Sequence, residues 1–362
     1  MADRTQGTAL VLGGGGVLAV AWEVGVLAGI EERWGEGAVF SSFDPFLGTS
    51  GGSFVAALVS QGIAPGLLRE GFLREDPELM PRPADVARIS WAALARGAWR
   101  LAAGVAGAMV SCVASRPRGS LFDVFARGLE RLPAGFLTVD QLEDWLERLF
   151  ARHGLASRFA DAPRRLLIPA VDLDAGTVRV FGDAPESDPP IGRAVAASSA
   201  IPSVFAPVRV DKRWFVDGAV GGATHLRRTI ERGARRVLFV NPVVASCWSA
   251  PGEESCECRL VSRGGLGQIV DQCNKLAHEA AVGASVEAAR LRHPDRTILL
   301  LQPDRDRMSS SGLMSWRAHR ETLEMGRQAV LEAEAPLVAR LDELLGAQRP
   351  DAASPRPGPG PA

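Results

Sequence analysis

Apolar residues along this chain alternate between short continuous runs and longer stretches spaced at three and four residues, with glycine turns between them. Thr8-Ala9-Leu10-Val11-Leu12 is a β-type run that leads directly into Gly13-Gly14-Gly15-Gly16. A helical pattern follows at Val17, Val20, Ala21, Val24, Leu27 and Ile30. The same order recurs at Phe46 to Gly62: a brief apolar run to Leu47, the turn Gly48-Thr49-Ser50-Gly51-Gly52, then Phe54, Ala57 and Leu58 at helical spacing. Each unit predicts a strand, a tight turn and a helix. Between them, Ala38 to Leu47 reads as strand-like, with Asp44-Pro45 in its middle.

From about residue 63 to 165 the pattern becomes helical and strands are not expected. Asp85 to Val113 carries Ile89, Trp91, Leu94, Trp99, Leu101, Val105 and Met109 with interspersed Arg88, Arg96 and Arg100. Two readings stand for it: an interfacial helix on a bilayer, or a cap helix on the core. Thr138-Val139-Asp140-Gln141 fits a capping box, and Leu142, Trp145, Leu146 and Leu149 give the following helix one apolar face. Both helices are expected to cover the site as a lid.

Strand signals resume at Arg165 to Asp172 and Thr177 to Phe181, joined by a turn at Asp174-Ala175-Gly176. A small-residue helix, stopped at Pro202, leads to Phe205–Val210 and to the strand Trp214-Phe215-Val216, which ends at Asp217-Gly218-Ala219. Beyond it, Leu226 to Gly233 reads as helix, Val237–Val240 as strand, Leu266 to Leu291 as helices, Thr297–Leu301 as strand and about Ser315 to Leu345 as one helix. The alternation predicts an α/β fold with a parallel sheet. Residues 346–362 are rich in proline, glycine and alanine without periodicity and are expected to form a disordered tail.

Composition narrows the function classes. A net charge of -1 over 362 residues gives no general attraction to nucleic acid. Five cysteines, an odd number, do not make a disulfide framework, and Cys256-Glu257-Cys258 lacks the spacing of a zinc site. Neither a metal nor another cofactor is expected. The uncharged run from Thr5 to Trp22 resembles the core of a signal peptide, but four glycines interrupt it and no basic segment precedes it. Leu101 to Val113 is well short of the roughly 20 apolar residues of a membrane span. A cytoplasmic protein is expected, with peripheral membrane contact left open; oligomeric state is not indicated.

The candidate chemistry lies in the turns. Gly48-Thr49-Ser50-Gly51-Gly52 fits G-x-S-x-G, in which a serine sits on a sharp strand-to-helix bend with Gly48 and Gly52 allowing close backbone approach. The first glycine turn has three readings. Gly14 to Ala19 satisfies G-x-G-x-x-A of a dinucleotide site, yet the acidic strand end such a site needs is poorly supplied. Alternatively the amides of Gly14, Gly15 and Gly16 face Ser50 as an oxyanion hole, or the glycines serve close packing alone. For a serine nucleophile the usual base is histidine, and His153, His225, His278, His293 and His319 are available without a local signal. Asp217-Gly218-Ala219, by itself, reads equally as a simple turn.

Together the glycine turn before Ala21-Trp22-Glu23-Val24-Gly25-Val26-Leu27, the elbow at Ser50, the run Ser199-Ala200-Ile201-Pro202 with Phe205 and Pro207, and Asp217-Gly218-Ala219 resemble the patatin-like phospholipases. The resemblance covers roughly residues 8–225, with 226–345 continuing the same core. It implies a three-layer α/β/α fold with a mainly parallel sheet and a helical lid inserted after the nucleophile helix. It also implies a Ser-Asp dyad without histidine: Ser50 as nucleophile, Asp217 as base, Gly14 to Gly16 as oxyanion hole, and acyl esters of lipids as substrates. Leu18 and Ala19 stand where that family usually has a basic residue and a glycine. A catalytically silent lipid-binding or regulatory module on the same fold is the alternative.

Overall fold

The computed structural model describes residues 7–89, 134–245, 265–304 and 316–346, together with single positions 91, 95, 99 and 103. The predicted alternation is present from the start. β1 (Thr8–Leu12) and β2 (Phe46–Gly48) each run into a glycine turn, followed by α1 (Gly16–Trp34) and α3 (Gly51–Val59). The stretch between them differs from its prediction. Ala38–Ser42 is a short helix, α2, and pairing with β1 begins only at Asp44-Pro45, whose Asp44 amide donates to Thr8 and whose Pro45 carbonyl accepts from Leu10, before β2.

After α4 (Pro65–Arg74) and the single turn α5 (Pro83–Val86), strand structure does not disappear as expected. β3 (Arg88–Ile89) pairs antiparallel with β4 (Leu137–Thr138) as a separate two-stranded ribbon. α6 begins at Asp140, not at a Thr138 cap, and runs to His153. Thr138 belongs to β4 and its hydroxyl meets the Gln141 side chain at 3.2 Å, so the capping box is not formed. The predicted apolar face is correct: Leu142, Trp145, Leu146 and Leu149 are all buried. Trp91, Trp99 and the single positions 95 and 103 are exposed; the other residues of the expected interfacial segment from 90 to Met109, Cys256-Glu257-Cys258 and the tail beyond Gly346 lie outside the described residues.

The sheet is then completed by β5 (Leu166–Asp172), β6 (Thr177–Phe181), β7 (Val208–Val210), β8 (Arg213–Asp217), β9 (Arg236–Val240) and β10 (Thr297–Leu301). Its order is β10-β9-β1-β2-β5-β8-β7, with β6 on the other edge of β5. The first five strands are parallel, and β6, β7 and β8 are antiparallel. The helices between them are α7 (Ile191–Ser198), α8 (Leu226–Glu231), α9 (Leu266–Arg292), α10 (His319–Leu331) and α11 (Ala335–Leu345). The last two correct the single C-terminal helix expected from 315 to 345. Pro336, in the first turn of α11, cannot continue α10 and instead starts a new helix.

Side-chain alternation divides the core into two layers. Leu10, Leu12, Phe46 and Ile168 face one side with Leu27, Phe54 and Ala194 of α1, α3 and α7. Ala9, Val11, Leu47 and Phe239 face the other with Ile230 of α8 and Val282 of α9. Helices therefore cover both faces of a mostly parallel sheet, the arrangement that buried parallel strands require. At roughly 1.5–3 kcal/mol per fully buried large apolar side chain, these two layers supply the main stabilising term. α1 also packs closely on α10: a Cβ on Gly326 would collide with the Trp22 carbonyl, so glycine is what lets the backbones meet.

Candidate active site

Ser50 stands at the N-terminus of α3 with φ 52° and ψ -124°, a conformation a non-glycine residue adopts only when its surroundings impose it. The surroundings are the elbow's own glycines. A Cβ on Gly48 would collide with the Gly52 carbonyl, and one on Gly52 would lie 2.5 Å from the carbonyl oxygen of Gly13. The bend thus presses against the first glycine turn. Ser50 is 3% exposed, so its hydroxyl meets the inside of a cavity and not bulk water.

The first turn lies directly opposite. A Cβ on Gly14 would sit 3.1 Å from Ser50 Cβ and 3.5 Å from Ala219 Cβ, so only glycine leaves room for a reacting group there. Gly15 and Gly16 have φ of 150° and 66°, which glycine tolerates and other residues rarely do. The Gly13 amide donates to the Val240 carbonyl at 3.0 Å, whereas those of Gly14, Gly15, Gly16 and Gly51 have no acceptor among the described residues. Two helix N-termini, of α1 and α3, meet at this point, and their unpaired amides favour negative charge. The turn is followed by β2, which carries no acidic residue at its end, so the ribose partner of a dinucleotide site is missing.

Asp217 reaches the same place from the other direction. β5 offers one edge to both neighbours: Arg165 accepts from Phe46 of β2, and Leu173, of the same parity, donates to Trp214 of β8. β2 runs up that edge as far as Leu47 opposite Leu167, and β8 runs down it as far as Asp217 opposite Ala170. The two strands meet nearly end to end. Their terminal residues, the elbow and the aspartate turn, therefore face each other across a gap at Ile168-Pro169.

Asp217 is 4% exposed, and its Oδ1 accepts the Ala219 amide at 2.8 Å. Burial pushes its carboxyl up from 3.8 to about 6, while the neighbouring Ser50 side chain and the Ala219 amide restrain the rise. A carboxylate of that pKa is a far better proton acceptor near neutrality than a solvated aspartate.

The histidines are elsewhere. His225 is buried against the aspartate turn, with Nε2 3.1 Å from the Gly218 carbonyl oxygen. Burial lowers its pKa to about 4, so it is neutral and its Nε2–H donates to that carbonyl. His278 pairs through Nε2 with Asn241 at 3.0 Å, His319 contacts the carbonyls of Trp316 and Phe72, and His153 is exposed on α6. No histidine hydrogen-bonds Ser50 or Asp217 among the described residues.

A cavity with about 560 Å³ of void, its open mouth included, leads away from Ser50. Its walls are apolar: Val17 and Val20 of α1, Phe54 of α3, Phe72 of α4, Leu142 of α6 and Phe205. Val86, Ile201 and Trp316 are only half-buried and form its outer part, whereas Phe54, Phe72 and Leu142 are buried. Such a lining solvates hydrocarbon, with Ser50, Gly51 and Ser199 among its few polar positions.

The sequence model of the patatin-like phospholipases matches residues 10–227, more than half of the chain. The chain belongs to the patatin-like phospholipase family. None of the curated proteins compared with it matches. Among solved structures, VipD from Legionella pneumophila aligns with a TM-score of 0.41 and 13% identity, covering 93% of this chain and 67% of VipD. The type III effector protein ExoU aligns with a TM-score of 0.36 and 15% identity, covering 93% of this chain and 53% of ExoU. This patatin-like chain thus spans about two thirds of the first structure and half of the second.

Sequence reasoning missed several residues of this patatin-like site. The unpaired Gly51 amide was legible from the elbow rule, which gives the residue after the serine a donor role. Leu142 lies on the apolar face of the helix expected to cover the site, whereas Trp316 had no signal, since only folding brings the segment before α10 over the nucleophile turn.

Proposed function

We propose that this protein is a serine acyl hydrolase that cleaves fatty-acyl esters of lipids through an acyl-enzyme. The observation that carries this reading is the meeting of Ser50, buried Asp217 and four unpaired amides at the head of an apolar cavity. Family membership supports the reaction class.

In the proposed mechanism the acyl chain enters the cavity and the ester carbonyl lies between Ser50 and the glycine turn. Ser50 Oγ attacks the carbonyl carbon as its proton passes to the Asp217 carboxylate. The oxyanion rests on amides drawn from Gly14, Gly15, Gly16 and Gly51. Collapse breaks the ester bond, and the leaving alcohol takes the proton from Asp217. Water, deprotonated by the same carboxylate, then releases the fatty acid and restores Ser50. Gly48 and Gly52 shape the elbow, while Gly218 and Ala219 hold the base. Leu18 and Ala19 are both buried, so the exchange of a basic residue and a glycine alters packing behind the turn and leaves its amides in place.

The reading also includes peripheral contact with lipid surfaces, supported by exposed Ile89, Trp91 and Trp99. No helix among the described residues is long and apolar enough to cross a membrane. The deciding experiment is labelling with a fluorophosphonate followed by peptide mapping. Modification of Ser50 is expected; a folded protein that never reacts there would instead be the silent lipid-binding module.

A further inference from the structure

Ser198, the last residue of α7, is wholly buried and touches the nucleophile's backbone. Its hydroxyl accepts the Ser50 amide at 2.9 Å and donates to the Pro169 carbonyl at 2.7 Å. Both groups need such a partner. The Ser50 amide lies before the first turn of α3 and beyond the end of β2, so neither helix nor sheet can satisfy it. Pro169 lies in the gap on β5 between the two converging strands, where proline's missing N–H costs no ladder bond but its carbonyl is left without a strand partner. One side-chain oxygen serves both. The same Pro169 carbonyl also abuts Gly218, where an added Cβ would collide with it, so the tie reaches the turn that carries Asp217.

We infer that Ser198 is a positioning residue: its hydroxyl clamps the Ser50 backbone in the strained elbow and sets Ser50 against the Asp217 turn through Pro169. The inference rests on the proposed role of Ser50. It also assigns the donors, because an amide committed to Ser198 is not available to an oxyanion, which leaves Gly51 and the glycine turn for that task. Removing the hydroxyl strands two buried polar groups and frees the bend to relax.

The test compares wild type, Ser198→Ala and Ser198→Thr. Fluorophosphonate labelling rate and kcat on a p-nitrophenyl ester are expected to fall about 10- to 100-fold in S198A, with KM within about twofold, as for a group acting on the transition state alone. S198T, which keeps the hydroxyl, is expected to recover most of the loss. Amide exchange in protein labelled with ¹⁵N-serine gives a readout independent of activity. Ser50 should exchange slowly in wild type and S198T, and at least about tenfold faster in S198A. Equal rates in wild type and S198A, or a loss confined to KM, would overturn the inference. So would a wild-type Ser50 amide that exchanges like an exposed one, which keeps the question decidable if S198A fails to fold. A wild type that resists the label ends the hydrolase reading, whereas the amide comparison still judges the clamp.

Discussion

His225 donates through Nε2 to the carbonyl of Gly218 at 3.1 Å, one residue beyond Asp217. The imidazole therefore supports the turn, and among the described residues it makes no hydrogen bond to Ser50 or Asp217. His225→Gln, whose amide can make the same bond, is expected to cost less than about tenfold in kcat/KM. Ser50→Ala and Asp217→Asn are each expected to cost at least about 10³-fold. Ester hydrolysis by the three variants, each checked for native folding, separates a dyad from a triad: a His225→Gln loss as large as that of S50A would refute the dyad.

In the proposed mechanism the acid limb of the pH–rate profile belongs to Asp217. Its carboxyl, raised by burial to about 6, must be ionised to accept the serine proton, so kcat/KM should fall tenfold per pH unit below about 6. The limb should be unchanged in His225→Gln. A limb near 4, the range of a solvated carboxylate, would show that Asp217 does not titrate as the base.

The same shift carries a cost in stability. Above pH 3.8 the unfolded chain releases the Asp217 proton while the native state keeps it up to about 6, so stability falls across that window. The loss amounts to roughly 3 kcal/mol at 1.36 kcal/mol per unit. Asp217→Asn keeps an acceptor for the Ala219 amide and removes the buried charge. It is expected to be inactive yet to melt several degrees higher at pH 8, and to match wild type near pH 4. Calorimetry at the two pH values checks both halves.

Glu23 gives a parallel case beside Gly13. It is fully buried in α1, neither carboxyl oxygen has a well-formed partner, and burial raises its pKa well above 4.5. The native state holds this proton after the unfolded chain has lost it, so Glu23 lowers stability as pH rises above 4.5. Glu23→Gln should flatten that dependence with a slope change of up to about 1.4 kcal/mol per pH unit. Urea denaturation between pH 5 and 8 would reveal a Glu23 that is ionised in the native state by showing no change.

In the proposed mechanism the cavity sets the acyl preference. Val86 is half-buried at its outer part, so Val86→Trp can narrow it without disturbing the core. Long-chain esters are expected to lose at least about tenfold in kcat/KM while acetate stays within about threefold, in line with the cost of displaced methylenes in an apolar pocket. A uniform loss over a chain-length series would place the acyl group elsewhere.

Local chemistry was enough for the frame of this protein. Thr8–Leu12 and Thr297–Leu301 are apolar runs ended by turn residues, and the glycines around Ser50 admit few alternatives to a sharp bend, so strands, turns and nucleophile candidate were written in adjacent residues. Boundaries failed where neighbours compete: the strand expected from Ala38 is a short helix with pairing only from Asp44-Pro45 onward, and Pro336 divided the last helix. What tertiary structure alone decided is which distant groups meet. β2 and β8 lie far apart along the chain, and only their shared edge on β5 brings Ser50 to Asp217, sets His225 against the Gly218 carbonyl and seats Ser198 in the gap. Burial did the rest, since the proton affinity of Asp217 is set by the water that folding excludes, a quantity no stretch of sequence contains.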